Sequence, residues 1–182
     1  PTFGASSLNP FTLPSINFTT PTFADINGDG DLDLFMGESN GNTFYLENTG
    51  TYTQHTFAAS VNNPFGLTDV GQYTSLAVDA MGNLHIAYLD VSEQRLKYAH
   101  GAVNGADIRW NIIALDDGAP VEGGERAMGT GAGWWTDITI DALGHPAIIY
   151  RAQTPADEES ILSEVRLISA DDTMPTSLSA WG

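Results

Sequence analysis

The chain has 182 residues, with 23 acidic against 6 basic side chains and a formal net charge of −17. Four His and no Cys exclude a disulfide framework, a thiolate zinc site and a cysteine nucleophile. A surface this acidic repels phosphate backbones and anionic lipid, and no apolar run approaches the roughly 18–20 residues of a spanning helix, so neither nucleic acid nor a membrane span is expected.

In chain order, Pro10, Pro14 and Pro21 interrupt any long strand near the start, and residues 1–20 read as a connecting segment or the end of a preceding unit. The chain opens on Pro1 with no secretory signal and is expected to be a piece of a longer polypeptide. Asn17-Phe-Thr19 fits a glycosylation sequon. From there on, short runs rich in β-branched and aromatic residues are bounded by Gly, Asn, Asp and Pro. Strands are predicted near Thr43–Leu46, Ser75–Val78, Leu84–Leu89, 95–99, Arg109–Leu115, Asp137–Ile140 and Ala147–Tyr150. Ser160–Ile168 fits either a helix or, through alternating Ile161, Ser163, Val165 and Leu167, a strand. The Gly- and Asp-rich residues 116–132 read as a loop. The fold class is all-β.

The chain repeats itself. Gly71-Gln-Tyr-Thr-Ser-Leu-Ala-Val-Asp79-Ala-Met-Gly82 aligns without a gap on Gly133-Trp-Trp-Thr-Asp-Ile-Thr-Ile-Asp141-Ala-Leu-Gly144, and the register continues through Ile86 and Tyr88 opposite Ile148 and Tyr150. Each copy reads strand, Asp-x-x-Gly turn, strand, with the Asp capping the turn and the Gly taking positive φ. A diverged third copy begins at Phe23-Ala-Asp25-Ile-Asn-Gly28. The Asp anchors at 25, 79 and 141 are 54 and 62 residues apart. That period, with four short strands per unit, predicts β-propeller-type blades: residues 21–68, 69–128 and 129–182. Three blades do not close a ring, so the array is expected to be incomplete or completed by other blades or subunits in an oligomer or larger assembly.

One segment carries chemistry. In Asp25-Ile-Asn27-Gly-Asp29-Gly30-Asp31-Leu-Asp33 an oxygen side chain recurs at every second position, and Gly30 permits a tight bend. Converging four carboxylates without a cation costs several kcal/mol of repulsion, whereas Ca²⁺ takes six to eight hard oxygens in flexible geometry. The side chains of Asp25, Asn27, Asp29 and Asp33 and the backbone carbonyl of Asp31 are the expected ligands. An EF-hand is excluded because Met36 stands where that loop needs a bidentate Glu. The bland alternative is a metal-free Asx-turn loop.

Phe23-Ala-Asp25-Ile-Asn-Gly-Asp-Gly-Asp-Leu-Asp33-Leu-Phe followed by Gly41-Asn-Thr-Phe-Tyr-Leu-Glu-Asn-Thr-Gly50 resembles an FG-GAP/VCBS repeat, the calcium-loop blade of integrin-α-like propellers and many bacterial surface proteins. The match covers roughly residues 18–57. Tyr73 to Tyr88 with Leu96-Lys97-Tyr98-Ala99 resembles a different bacterial propeller repeat, from which the third unit departs by placing Ala147 where the second has His85. The resemblance implies one calcium site and a secreted, cell-surface or periplasmic protein engaged in adhesion.

Other candidates carry less. His85 is expected to be a packed or hydrogen-bonded strand residue, and His55, His100 and His145 have no zinc spacing. Gly129-Thr-Gly-Ala-Gly133 leads into a strand rather than a helix, which argues against a phosphate cradle. The pairs Asp116/Asp117, Glu158/Glu159 and Asp171/Asp172 read as solvated surface. Alternation places Trp135, opposite Tyr73 in the alignment, in the core and Trp134 outside, where it would serve sugar stacking or a subunit contact or cover a neighbouring blade. No nucleophile, base and orienting partner occur together, so the expected role is binding or assembly and not catalysis. The alternatives are a lectin-like propeller that binds glycan and a non-catalytic fragment of a larger propeller enzyme.

Overall fold

The computed structural model describes residues 20–51, 53–66, 70–104, 107–116, 131–155 and 161–182. The 1–20 segment apart from Thr20, the Asn17 sequon, Asp117, most of the 116–132 loop and the Glu158/Glu159 pair lie outside the described residues. Eleven strands build three antiparallel sheets among those described. Sheet 1 has the order β1 (Thr20–Ala24), β2 (Asp33–Gly37), β3 (Thr43–Leu46), β4 (Val61–Asn62). Sheet 2 runs β5 (Gln72–Val78), β6 (Leu84–Asp90), β7 (Arg95–Asn104), β8 (Asp107–Asp116). Sheet 3 runs β9 (Gly131–Ile140), β10 (Pro146–Pro155), β11 (Ile161–Ser169). Each sheet is a meander whose neighbours in sequence are neighbours in space, as short turns between alternating strands dictate. The described part of the ambiguous stretch, from Ile161 on, is strand, with Ile168 paired to Ile148 and Leu167 to Ile149. The chain end folds back on this sheet: the Ser169 and Gly182 backbones exchange two hydrogen bonds, at 3.1 and 2.9 Å.

The Asp-x-x-Gly turns repeat atom for atom. The Asp79 carboxylate accepts from the N–H groups of Met81 and Asn83, both at 2.8 Å, and Asp141 accepts from Leu143 and His145 at the same distance. Gly82 (φ 82°) and Gly144 (φ 89°) hold the left-handed position that the turn demands.

The sheets pack face to face in chain order. Leu96, Tyr98 and Leu115 of sheet 2 form one core with Ala132, Ile138, Ile148 and Tyr150 of sheet 3. Phe35 and Tyr45 of sheet 1 join Val70, Leu76, Leu84 and Ile86 in another. The same backbone bond marks both junctions. Val70 N–H donates to the Gly41 carbonyl at 2.9 Å, and Ala132 N–H, 62 residues on, donates to the Gln94 carbonyl at 3.2 Å. Both acceptors lie at the turn between the second and third strands of the preceding sheet. Close approach at the second junction requires glycine, since a Cβ on Gly133 would sit 3.0 Å from Leu96 Cα and 3.1 Å from Leu89 Cα.

The expectation for the tryptophans is reversed. Trp135 is 58% exposed, while Trp134 is half-buried with a buried indole N–H. A bulge is the cause. Asp137 pairs with Ile149 and Trp134 with Arg151, so Trp135 and Thr136 together oppose Tyr150. Trp135 also takes a left-handed backbone (φ 48°), which breaks the two-residue alternation. Tyr73 (φ 53°) does the same one repeat earlier, where Gln72 pairs with Leu89 and Ser75 with Ala87. The threonines that follow, Thr74 and Thr136, point into the core.

Candidate functional site

The acidic loop lies between β1 and β2 and is pinned at two points. The Ile26 side chain is buried with Phe35, Tyr45, Val70 and Leu76. Asp33, the first residue of β2, is wholly buried. Its carboxylate accepts from Ile26 N–H at 3.2 Å, Tyr45 O–H at 2.9 Å and Asn48 N–H at 2.8 Å, tying loop, β3 and the following segment together. Burial, with the bond to Asp33 and its charge, pushes the Tyr45 hydroxyl well above the usual phenol range, so it stays a donor.

Between these pins the chain wraps its own carboxylates. Asp25 accepts from the N–H groups of Gly28 (2.7 Å), Asp29 (3.1 Å) and Gly30 (3.0 Å). The Asn27 side-chain oxygen accepts from Asp29 N–H, and the Asp29 carboxylate from Asp31 N–H. Asn27 also donates to the Asp29 carboxylate at 2.9 Å and to Glu47 at 3.4 Å. Gly28 (φ 79°) and Gly30 (φ 90°) supply the left-handed residues that this winding needs.

By donor chemistry the loop fits a hard divalent cation: its side chains offer carboxylate and amide oxygens, and none of the six Lys and Arg residues lies within it. Among the described residues no three Asp, Glu or His side chains converge on a ready-made metal cluster. Asp25, Asn27 and Asp29 engage each other and the backbone, and Asp33 already accepts three hydrogen bonds. The structure thus gives Asp33 a role that spacing does not reveal, as a buried strut of the loop.

Two further groups gain definition. His85 is packed as expected: its Nδ1 lies 2.7 Å from the Tyr98 hydroxyl and its Nε2 3.5 Å from Asp79, with the His100 ring at 5.0 Å. Burial and the neighbouring His100 push His85 down to about 4, and burial lowers His100 as well. Asp116 departs from its expected solvated role. It accepts from Tyr150 O–H at 2.6 Å and pairs with Arg166 at 2.7 Å, bridging β8 to sheet 3. Strand pairing sets Arg166 opposite Tyr150, and the packing of the sheets brings Asp116 to them, so spacing carries no sign of the bridge. Asp171 and Asp172 are exposed.

Tyr73, Trp134 and Trp135 form an aromatic cluster across β5 and β9, with ring centroids 5.0–6.4 Å apart and the Arg151 guanidinium 5.0 Å from the Trp135 ring. Among the described residues no helix is long and apolar enough to cross a membrane. No protein-family model, curated protein or solved structure matches the chain.

Proposed function

We propose that this chain is a calcium-stabilised, extracellular or cell-surface binding and assembly module: a run of three propeller-type blades of FG-GAP/VCBS character. The observation that supports the reading most is the acidic loop seated on the first inter-sheet junction. Its Ile26 enters the core shared by sheets 1 and 2, so an ion held outside that core braces the junction through the loop. The side chains of Asp25, Asn27 and Asp29 with the Asp31 carbonyl would hold Ca²⁺, which neutralises their mutual repulsion when bound, and Asp33 would join them by exchanging one of its three hydrogen bonds for the ion. Without it, backbone N–H groups together with the Asn27 amide and the Tyr45 hydroxyl offset the loop's negative charge.

A ligand that binds only the folded state stabilises it by about 2.7 kcal/mol at a hundredfold excess over its Kd. For a chain of this size that corresponds to roughly 5–10 °C in Tm. Chelation is expected to lower Tm by that amount, and Asp29→Ala to abolish most of the response, because its side chain faces solvent and its loss spares the core. Thermal melts with calcium and with excess chelator decide the matter; identical melts would overturn the calcium assignment.

A further inference from the structure

Sheet 2 shows what a covered sheet face looks like in this molecule. Ala87, Leu89, Leu96 and Tyr98 are all 0% exposed beneath sheet 3 and Trp181, whose ring meets Tyr98 at 4.9 Å. Sheet 3 repeats that face. Its pairs Ile149–Leu167 and Arg151–Val165 stand where sheet 2 has Ala87–Tyr98 and Leu89–Leu96. Here the face is open: Ile149 is 45% exposed, Leu167 71% and Val165 75%, with Trp135 beside them. An apolar array of this kind on the last sheet of a stack marks a contact surface.

The strands that cover the other two faces share one pattern. The residue before the glycine (Val70, Ala132) donates its N–H to the preceding sheet. A left-handed Gly follows (Gly71, Gly133), then, two residues on, a left-handed aromatic (Tyr73, Trp135). Last comes a buried Thr that packs on the preceding sheet. Thr74 sits against Gly37, and Thr136 donates to the carbonyls of Tyr73 and Ala87. Aligned in sequence on the Asp25 anchor, positions 17–20 read Asn-Phe-Thr-Thr, with no Gly and no aromatic at the matching place. Among the described residues, a second copy of this chain therefore has no unused strand of this pattern.

We propose that the open face of sheet 3 docks a further β-sheet of this same repeat, whose first strand carries apolar-Gly-x-aromatic-Thr, and not a second copy of these residues. This rests on the stacked-array reading above and names its partner. Continuity with the two observed junctions carries it: the same face, in the same register, receives the same strand twice within the chain.

The test exploits the absence of cysteine. Val165→Cys gives a unique thiol on the open face, and the probe is an additional copy of residues 117–182 appended after Gly182. The thiol-labelling rate at position 165 is expected to fall about tenfold or more with the appended copy, and to recover when the copy's own equivalent of Gly133 is changed to Val. Equal rates with and without the appended copy would overturn the proposal. So would a dimer of the unextended chain whose thiol is already protected. Should the appended copy fail to fold, Val165→Glu with Leu167→Glu in the unextended chain still decides. An unchanged Tm and an unchanged monomer mass support an open face, and a lower Tm or the loss of a dimer overturns it. Labelling with calcium and with chelator separates the two readings, since protection with no calcium response sinks only the calcium site, and a calcium response without protection sinks only the docking.

Discussion

Asp79 and Asp141 show how much a single side chain can carry from sequence alone. An Asp followed three residues later by Gly needs only its own turn to be satisfied, and both turns form as the spacing requires. Glycine is less transparent. Gly82 and Gly133 both have positive φ, but nothing lies within 4 Å of a Cβ on Gly82, whereas one on Gly133 meets the backbone of sheet 2. Gly82→Ala is therefore expected to cost about 1 kcal/mol from backbone strain alone. Gly133→Ala is expected to cost about 3 kcal/mol or more, because the second sheet must shift as well. Urea denaturation of both variants measures the difference, and equal costs would refute the close-approach argument. Asp33 belongs to the hidden class too: its place in the oxygen series is legible, but the Tyr45 and Asn48 bonds that occupy it depend on how β2 and β3 pair.

Among the elements, the strands were legible wherever β-branched and aromatic runs met Gly or Asp turns, since alternation and turn chemistry are local. Alternation failed at Trp134 and Trp135 because a bulge adds a residue to one strand, and nothing in a period-two pattern announces it. The repeat held the clue: Tyr73 and Trp135 follow a Gly two residues earlier in both copies, and both adopt the left-handed backbone. The Asp116–Arg166–Tyr150 bridge joins β8 to β10 and β11 and lies largely out of solvent. Asp116→Asn is expected to destabilise by about 1–3 kcal/mol, leaving Arg166 without its closest partner. A double-mutant cycle with Tyr150→Phe should give a coupling above about 0.5 kcal/mol, and strict additivity would show that the bridge does not tie the sheets together.

At the scale of the whole molecule, charge and buried histidine set the response to pH. The folded His85 titrates at about 4 against an ordinary 6.5, so the unfolded chain takes up the proton first as pH falls. Its stabilising contribution is complete above about pH 6.5 and is lost progressively toward pH 4. Asp90 adds a lower window. Burial works against its charge, but Lys97 and the bonds from Ser92 and Glu93 hold it at about 2 against 3.8, so its contribution disappears between about pH 4 and pH 2. Tm is expected to fall between pH 7 and pH 5, and His85→Gln to flatten that part of the profile. Parallel slopes in the two proteins would refute the assignment to His85.

What is local could be read from the residues: the all-β class, the repeated Asp turns, and an oxygen-rich loop whose donors suit a hard cation. These depend on residues within a few positions of each other, where steric limits and turn hydrogen bonding leave few choices. Tertiary structure alone decided which faces are covered, which glycines admit a neighbouring backbone, and that Asp33 and Asp116 are buried partners. Those properties arise from groups far apart in the chain, brought together only when one sheet packs on the next.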